Sequence, residues 1–304
     1  MDLRQEQFKH IGINEEKSQA IIRPSMTYWQ DAWRRLKKNP VAMTSLLLII
    51  VFAIMAFVGP LMTPGNYYSN DLMNGDKGPS IQHWFGTDGL GRDLWERVWA
   101  GAQVSLFIGV ATAFINGIVG TLIGGTSGFF GGRLDMFIMR TIDVLIALPY
   151  LIFVLLIMLY LGTGLMAIII ALAITGWLGL ARLVRGQVLA LKEQEFVLAA
   201  RSLGASSSRL ILRHLIPNTL GVIIVSLTFA IPSAIFAEAF LSFIGLGIQA
   251  PQTSWGQLSN LGIAAMQSYP YQLIIPSIFI SLTMLSLQLL GDGLRDALDP
   301  RLRK

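Results

Sequence analysis

Residues Glu195–Asn218 read EFVLAARSLGASSSRLILRHLIPN and lie between two long apolar segments. In the first half, apolar residues recur at helical spacing and can form one stripe. They are Leu198, Ala199, Ala200 and Leu203. Gly204 is expected to end this helix. Residues 206–208 offer serine N-caps for a second helix, which is expected to end near Pro217. A short platform of this kind, with an exposed apolar stripe, is typical of a surface that a partner covers.

The composition indicates a protein whose solvent is lipid. Of the 304 residues, 53% are hydrophobic and only 13% are charged, whereas soluble domains carry about 25% charged residues. The chain has no cysteine, which excludes a disulfide framework and a thiolate metal site. The net charge is +5, but the basic residues are not gathered on one aromatic-rich face, so no nucleic-acid partner is expected.

Six apolar segments are candidates for membrane spans, which need about 20 residues each. They are Val41–Met62, Val104–Phe130, Met136–Leu161, Leu165–Ala181, Thr219–Ile248 and Tyr271–Leu290. The fourth is the shortest, and residues 162–164 are expected to join it to the third in a tight antiparallel turn. The sequence therefore predicts an all-α integral membrane protein with six transmembrane helices.

The distribution of Lys and Arg predicts the orientation of these spans. If the N-terminus is cytoplasmic, the inner side holds twenty of the 23 Lys and Arg residues, counting Arg140 at the inner end of its span. The outer side then holds Lys77, Arg92 and Arg97, and the last outer loop, 249–270, holds no charged residue. By the positive-inside rule both termini are expected in the cytoplasm. The chain is expected to span the plasma (inner) membrane.

The predicted organisation follows from these spans. Residues 1–40 form a cytoplasmic tail, 41–62 the first transmembrane helix, and 63–103 an extracytoplasmic loop. Residues 104–293 form a transmembrane core with a cytoplasmic loop at 182–218, and residues 294–304 form a cytoplasmic tail. Within the first tail, Met26–Asn39 has Trp29 and Trp33 on one face and basic residues on the other. It is either an interfacial helix on the inner leaflet or a plain basic flank.

Three features inside the predicted core are expected to make specific contacts within the bundle. In the second span, glycines at small-xxx-small spacing (Gly120, Gly124, Gly128) favour close helix packing within a bundle. In the third, Asp143 lies one turn after Arg140, and an intrahelical ion pair is expected. In the fifth, Glu238 has no basic residue nearby in sequence. It could line a water-filled pathway, be protonated, or bond to Ser242 one turn on.

The outer segment before the second span alternates glycines with charged residues. The residues singled out are Gly86, Thr87, Asp88, Gly91, Arg92 and Asp93. They predict either a structured turn held by Asp and Arg hydrogen bonds or a docking site for an outer partner. No phosphate-binding GxxxxGK[ST] loop and no HExxH motif is present, and the three histidines are far apart in sequence. We therefore expect neither a catalytic residue nor a metal site in this chain.

Several motifs resemble those of one family. The segment around Ala199, Ala200, Gly204, Ile216 and Pro217 is similar to the cytoplasmic EAA loop of permease subunits of ABC-type importers, although Leu198 stands where that motif has Glu. Four further stretches resemble the second permease subunit of oligopeptide and dipeptide importers. They are FGTD with GRD at 85–93, LSFIGLG at 241–247, SWG at 254–256 and GDGLRDALDP at 291–300.

The resemblance implies a fold, a function and partners. It implies the type I ABC importer permease fold and half of a translocation pathway, shared with a sister permease. Below it would lie two cytoplasmic ATPase subunits, which would hold ATP and Mg while this chain holds no cofactor. Above it would lie an extracytoplasmic peptide-binding protein. The family's coupling role falls on the matching loop, here Glu195, Ala199, Ala200, Arg201, Gly204 and Pro217.

Two alternatives remain open on the sequence. The cargo could be nickel or a sugar, which relatives in this family carry. An autonomous secondary transporter or channel would favour several intramembrane acids and inverted repeats, whereas this chain has two such acids and no evident repeat. An intramembrane enzyme would need paired catalytic residues at membrane depth, and none is present.

The predicted orientation can be tested with single cysteines, because the chain has none of its own. Cysteines at Ser69 and Ser268 are expected to react with an impermeant thiol reagent on intact cells whose outer membrane, if present, has been made permeable. A cysteine at Ser207 is expected to stay unlabelled until the cells are lysed. If the cysteine at 207 is labelled on intact cells and the cysteine at 69 is not, the predicted orientation is wrong.

Overall fold

The computed structural model describes residues 27–63 and 65–299, and in these ranges the regular elements are helical. An isolated antiparallel bridge pairs Thr87 with Asp93. The helices are α1 (Tyr28–Lys38), α2 (Pro40–Val58), α3 (Leu94–Phe130), α4 (Gly132–Ala147), α5 (Tyr150–Leu161), α6 (Leu165–Leu191), α7 (Glu195–Ser202), α8 (Ser207–Phe243), α9 (Trp255–Ala265) and α10 (Tyr271–Leu298). The ends of the two tails, 1–26 and 300–304, lie outside the described residues.

Five of these helices, α2, α3, α6, α8 and α10, are long and apolar enough to cross a membrane. The predicted third span, Met136–Leu161, is wrong as a single straight helix, because it is divided into α4 and α5 with a bend of 90°. Pro149 causes the break, since a residue that precedes proline is pushed out of the helical region. Leu148 accordingly has extended backbone, with φ −76° and ψ 135°. If α4 and α5 together make one crossing, the spans number six.

Helices α3 and α6 are longer than the spans predicted for them. Helix α3 begins at Leu94 and not at Val104, because Asp93 caps it by accepting hydrogen bonds from the backbone N–H groups of Trp95 (2.8 Å) and Glu96 (3.3 Å). Helix α6 continues past Ala181 to Leu191. Apolarity ends at 181 while helical hydrogen bonding does not, so the fourth span is not short.

The second helix of the predicted platform does not end near Pro217. It continues through this proline as α8, a single element of 37 residues. The turn before the proline, Leu210–Leu215, is a π-helix in which the Ile216 N–H donates to the Ile211 carbonyl. This wider turn accommodates a residue that has no N–H of its own and whose ring crowds the preceding carbonyls.

Helix α1 packs on the end of the last helix. Thr27 and Gln30 form a reciprocal capping box at its start. Leu36 is buried against Ala42 and Ala297, while Trp29 and Trp33 remain exposed. The predicted helix is therefore present, and its placement at the inner leaflet stays a prediction.

Helices α3 and α6 pack closely along a row of glycines. A Cβ atom added at Gly120 would stand 3.0 Å from the Trp177 carbonyl, and one at Gly128 would stand 2.8 Å from the Arg185 carbonyl. At Gly124 the added atom would overlap the backbone of Ala181. The three glycines thus let the backbones meet, which confirms the bundle packing predicted from their spacing.

The uncharged segment 249–270, predicted to be an outer loop, contains a short helix that the sequence did not predict. Ser254 caps α9 by accepting from the Gln257 N–H (3.1 Å). The side chain of Trp255 is fully buried, and its Nε1 donates to the Val98 carbonyl (2.9 Å). It packs with Phe279 and other aromatic side chains, so α9 is fastened to α3 and α10.

The glycine row can be tested by a pair of neighbouring substitutions. Gly124→Ala is expected to destabilise the protein by about 1–3 kcal/mol, because the added methyl group overpacks the α3–α6 contact. At Gly125 a Cβ would meet side chains only at 3.6 Å or more, so Gly125→Ala is expected to be neutral or to stabilise the helix by about 0.5–1 kcal/mol. Thermal unfolding of the two purified variants in one detergent makes the comparison, and equal stabilities would contradict the packing.

Candidate functional site

Helix α7 ends at a glycine turn, as predicted. Gly204 has φ +82°, in the left-handed region. Its N–H donates to the Arg201 carbonyl (2.9 Å), and the Ala205 N–H donates to the Ala200 carbonyl (3.1 Å). This hydrogen-bond pair is a Schellman motif, which stops a helix and reverses the chain. We call α7 and the residues up to Leu215 the platform.

The platform has one face buried against the rest of this chain and one exposed face. Val197 is buried and Ala200 packs beside it in the protein's own core, together with side chains of α3, α6 and α8. The exposed face carries Phe196, Ala199 and Leu203, which recur at helical spacing, and Leu203 is 89% exposed. Leu198 is exposed on another side of the helix. Ala200 is partly buried against this core, so the exposed residues of the stripe predicted from the sequence are limited to Leu198, Ala199 and Leu203.

The remaining residues of the predicted loop take different positions. Glu195 is exposed in the first turn of α7, where a carboxylate complements the helix dipole. Ala199 is exposed on the platform. The Arg201 guanidinium lies over the Phe129 ring at 5.7 Å, which ties the platform to the end of α3. Pro217 lies inside α8 and is itself exposed.

Ion pairs join α4 to α6 close to the platform. Both carboxylate oxygens of Asp135 accept from Arg185, and Ser127 of α3 donates to Asp135 at 2.6 Å. Asp143 pairs with Arg182 at 2.7 Å, where both side chains are about half exposed. The predicted partner of Asp143, Arg140 on its own helix, is therefore wrong. A residue on the neighbouring helix offers the better geometry.

A cleft opens between α3, α5, α6 and α8, with a volume of about 360 Å³. Two buried residues of α3 line it, Thr112 and Asn116, which lie one turn apart. Neither Thr112 Oγ1 nor Asn116 Oδ1 has a hydrogen-bond partner. The sequence analysis did not identify either residue, although two polar side chains one helical turn apart in an apolar span indicate a buried polar site.

Glu238 is fully buried and does not border this cleft. Ser242 donates to its Oε1 at 2.7 Å and Ser105 of α3 donates to its Oε2 at 3.0 Å. The bond to Ser242 was one of the three alternatives left open by the sequence. The carboxyl group joins α8 to α3, and its predicted role in a pathway stays a prediction.

The outer segment 86–93 is a turn organised around Asp88. This carboxylate accepts from the N–H groups of Leu90 (2.9 Å) and Arg92 (3.0 Å), from Arg92 Nε (2.8 Å) and from Arg97 Nη1 (3.1 Å). Thr87 pairs with Asp93 in the isolated bridge. The geometry has the features of the structured turn that was one of the two sequence-based alternatives.

Two glycines and the last helix hold this turn in place. Gly86 (φ +79°) and Gly91 (φ +73°) have left-handed backbone, and a side chain at either would collide with a neighbouring backbone. Tyr271 donates its hydroxyl to the Thr87 carbonyl (3.0 Å), so the turn is fastened to α10. Beside it lies a cavity of about 510 Å³, bordered by Asp88, Arg92 and residues of α9 and α10. Docking of an outer partner here stays a prediction.

No group of three or more His, Asp or Glu side chains that could hold a metal ion occurs within residues 27–63 and 65–299. The candidate site has three parts: the platform, the polar cleft and the turn around Asp88. All three are attached to α3, α6, α8 or α10.

The comparisons with known proteins identify the family. The family described as binding-protein-dependent transport system inner membrane component matches residues 120–304. The N-terminal transmembrane domain of oligopeptide transport permease C matches residues 27–79. The chain belongs to this permease family. The dipeptide transport system permease protein DppC of Bacillus subtilis is 50% identical over 296 residues, covering 96% of this chain and 92% of that one.

Two further relatives and one solved structure agree with this assignment. The oligopeptide transport system permease protein OppC of B. subtilis is 48% identical, covering 98% of this chain and 97% of that one. A glutathione transport system permease protein, GsiD of Escherichia coli, is 43% identical and covers 93% and 94%. The inward-facing methionine ABC transporter MetNI matches with a TM-score of 0.55 at 16% identity, over 68% of this permease and 98% of that chain. This likeness confirms the type I importer permease fold.

The buried ion pair of the outer turn and the exposed pair between α4 and α6 make a matched test. Asp88→Asn is expected to cost about 3–5 kcal/mol, because Arg97, only 3% exposed, loses its charged partner. Asp143→Asn is expected to cost about 0–1 kcal/mol, because its pair is open to solvent. Thermal unfolding or expression level measures both, and an Asp88→Asn variant as stable as Asp143→Asn would contradict the structural reading of the turn.

Proposed function

We propose that this permease is one half of the translocation pathway of an ATP-driven peptide importer and that its platform seats a cytoplasmic ATPase subunit. The observation that carries the proposal is the exposed face of the platform, where Leu203 is 89% exposed beside Phe196 and Ala199. Apolar side chains grouped on a surface outside the lipid favour burial by a partner. The small Ala199 leaves room for a groove to approach the helix closely.

The platform is well placed to pass movement into the membrane. Its buried face shares one apolar core with α3, α6 and α8, through Val197, Leu210 and Leu215. Arg201 on Phe129 and Arg185 on Asp135 add polar ties between the same elements. A displacement of the platform by closing ATPase subunits would therefore carry these helices with it, which is the packed two-state motion that alternating access requires.

The chemistry of transport is divided among several chains. This permease would break no covalent bond itself, and ATP with Mg would be held and hydrolysed by two partner ATPase subunits. A sister permease would supply the other half of the pathway, and an extracytoplasmic binding protein would deliver the cargo. Peptide cargo is supported by the relatives, which are permeases of dipeptide, oligopeptide and glutathione transport systems. Nickel or a sugar is the alternative cargo.

The proposal includes a location and an orientation. The chain would span the plasma (inner) membrane with both termini in the cytoplasm, which places the platform on the ATPase side and the Asp88 turn on the side of the binding protein. The asymmetry of Lys and Arg supports this orientation.

The platform can be tested without disturbing the fold. Leu203→Glu changes a side chain that touches almost nothing in this chain, so expression and insertion are expected to persist. The variant is expected to lose co-purifying ATPase subunits, or to leave their ATP hydrolysis unresponsive to loaded binding protein. The matched control is Leu72→Glu, the same substitution at an exposed leucine (75%) on the predicted outer side, which is expected to retain the ATPase subunits. Normal peptide uptake by Leu203→Glu would show that the coupling surface lies elsewhere.

A further inference from the structure

The cleft between α3, α5, α6 and α8 has features that packing alone does not require. Thr112 is 2% and Asn116 5% exposed, and an oxygen atom of each is buried without a hydrogen-bond partner. Two other threonines of the bundle, Thr126 and Thr228, donate to the carbonyl four residues before them, whereas the buried hydroxyl of Thr283 on α10 also has no partner. A buried polar group without a partner is costly, so such a group is expected to gain its partner in another state.

Helix α6 gives the cleft its room. The Asn116 amide lies against Gly176, where an added Cβ would collide with it, and nothing stands within 4 Å of a Cβ at Gly179. Both glycines border the cleft. A side chain at Gly179 would fill space that this structure leaves open, whereas the missing side chain at Gly176 makes room for the Asn116 amide. The volume of about 360 Å³ lies in the range of small-ligand pockets, roughly 300–1,000 Å³.

We propose that this cleft is an intramembrane binding site for the main chain of the transported peptide, with Thr112 and Asn116 as its hydrogen-bonding residues. The inference rests on the proposed function and adds to it a site and a recognition chemistry. A carboxamide offers one acceptor and two donors, and a hydroxyl offers one donor and accepts as well. These groups complement the C=O and N–H of a peptide bond.

The other lining residues fit a peptide whose side chains vary. They are aliphatic or aromatic residues, glycines, and hydroxyl residues such as Ser226 and Tyr150. Lining groups of this kind present neither a carboxylate nor an imidazole for a metal cation, and no fixed charge that would select one peptide side chain. Recognition through the main chain would let one pathway pass cargo of many sequences.

In this conformation both unpartnered oxygens are buried. The site would therefore be completed when cargo reaches these oxygens during the movement that exposes the pathway. Ser233, which also borders the cleft on α8, donates to its own backbone at the Phe229 carbonyl (3.0 Å). It is thus satisfied already, and we assign it no role in binding.

The test uses the complete transporter, with sister permease, ATPase subunits and binding protein, reconstituted in vesicles. Thr112→Val and Asn116→Leu remove the polar atoms at similar side-chain size, and the double variant removes both. Because those oxygens have no partner in the chain, thermal stability and assembly are expected to be unchanged or improved. Uptake of labelled di-, tri- and pentaalanine is expected to fall on the order of tenfold or more in the double variant, while stimulation of ATP hydrolysis by loaded binding protein persists.

Two controls separate binding from structure. Thr126→Val makes the same chemical change on α3 outside the cleft, and its uptake is expected to match that of the wild type. Gly179→Leu fills the cleft and is expected to block uptake, whereas Gly186→Leu adds the same side chain to α6 at another open position and is expected to be tolerated.

Three outcomes would overturn the inference. Wild-type uptake by the double variant would show that the oxygens do not contact cargo. Loss of the sister permease from the complex would show that they contact that chain instead. Loss confined to peptides of one side-chain type would replace main-chain recognition by a side-chain pocket. If the wild-type complex takes up no peptide at all, the proposed function fails first, so the two failures are distinguishable.

Discussion

The close contact between α3 and α6 is the constraint on which the rest of this permease depends. Gly120, Gly124 and Gly128 remove the side chains that would separate the two backbones, and in lipid such packing has to replace the hydrophobic driving force available in water. The contact also fixes what lies above and below it. Toward one end it sets Asn116 against Gly176 and forms a wall of the cleft. Toward the other it places α3 and α6 together under the platform, within the same apolar core as Val197.

Much of this architecture could be predicted because it follows from local chemistry. The apolar segments, the packing of the glycine row and the helix break at Gly204 depend on hydropathy, on side-chain size and on the freedom of glycine to adopt positive φ. Each is a property of a few neighbouring residues. The family motifs identified the platform segment for the same reason, since they are continuous in sequence.

The features that could not be predicted depend on distant contacts or on small conformational choices. Asp143 finds Arg182 across a helix pair, where sequence distance gives no guidance. Ala200 is partly buried because the rotation of α7 is set by its anchorage at Val197, which no periodicity of small residues decides. Continuation of α8 through Pro217 depends on one π-helical turn, and a 90° bend at Pro149 depends on the same residue type acting in the opposite way. Proline signals a perturbed helix, while the surroundings decide whether it bends or continues.

The central claim is that platform and pathway helices move as one body, so that ATPase closure is delivered to the cleft. The absence of native cysteines allows spin labels to be placed at Ser208 on the platform and at Met166 at the far end of α6, both exposed positions. The decisive measurement is the distance between these labels by pulsed electron paramagnetic resonance in the assembled, transport-competent complex, with and without ATP. The account predicts one narrow distance that nucleotide leaves unchanged. A second distance that appears with ATP would mean that the platform moves against α6, and would contradict the rigid coupling described above.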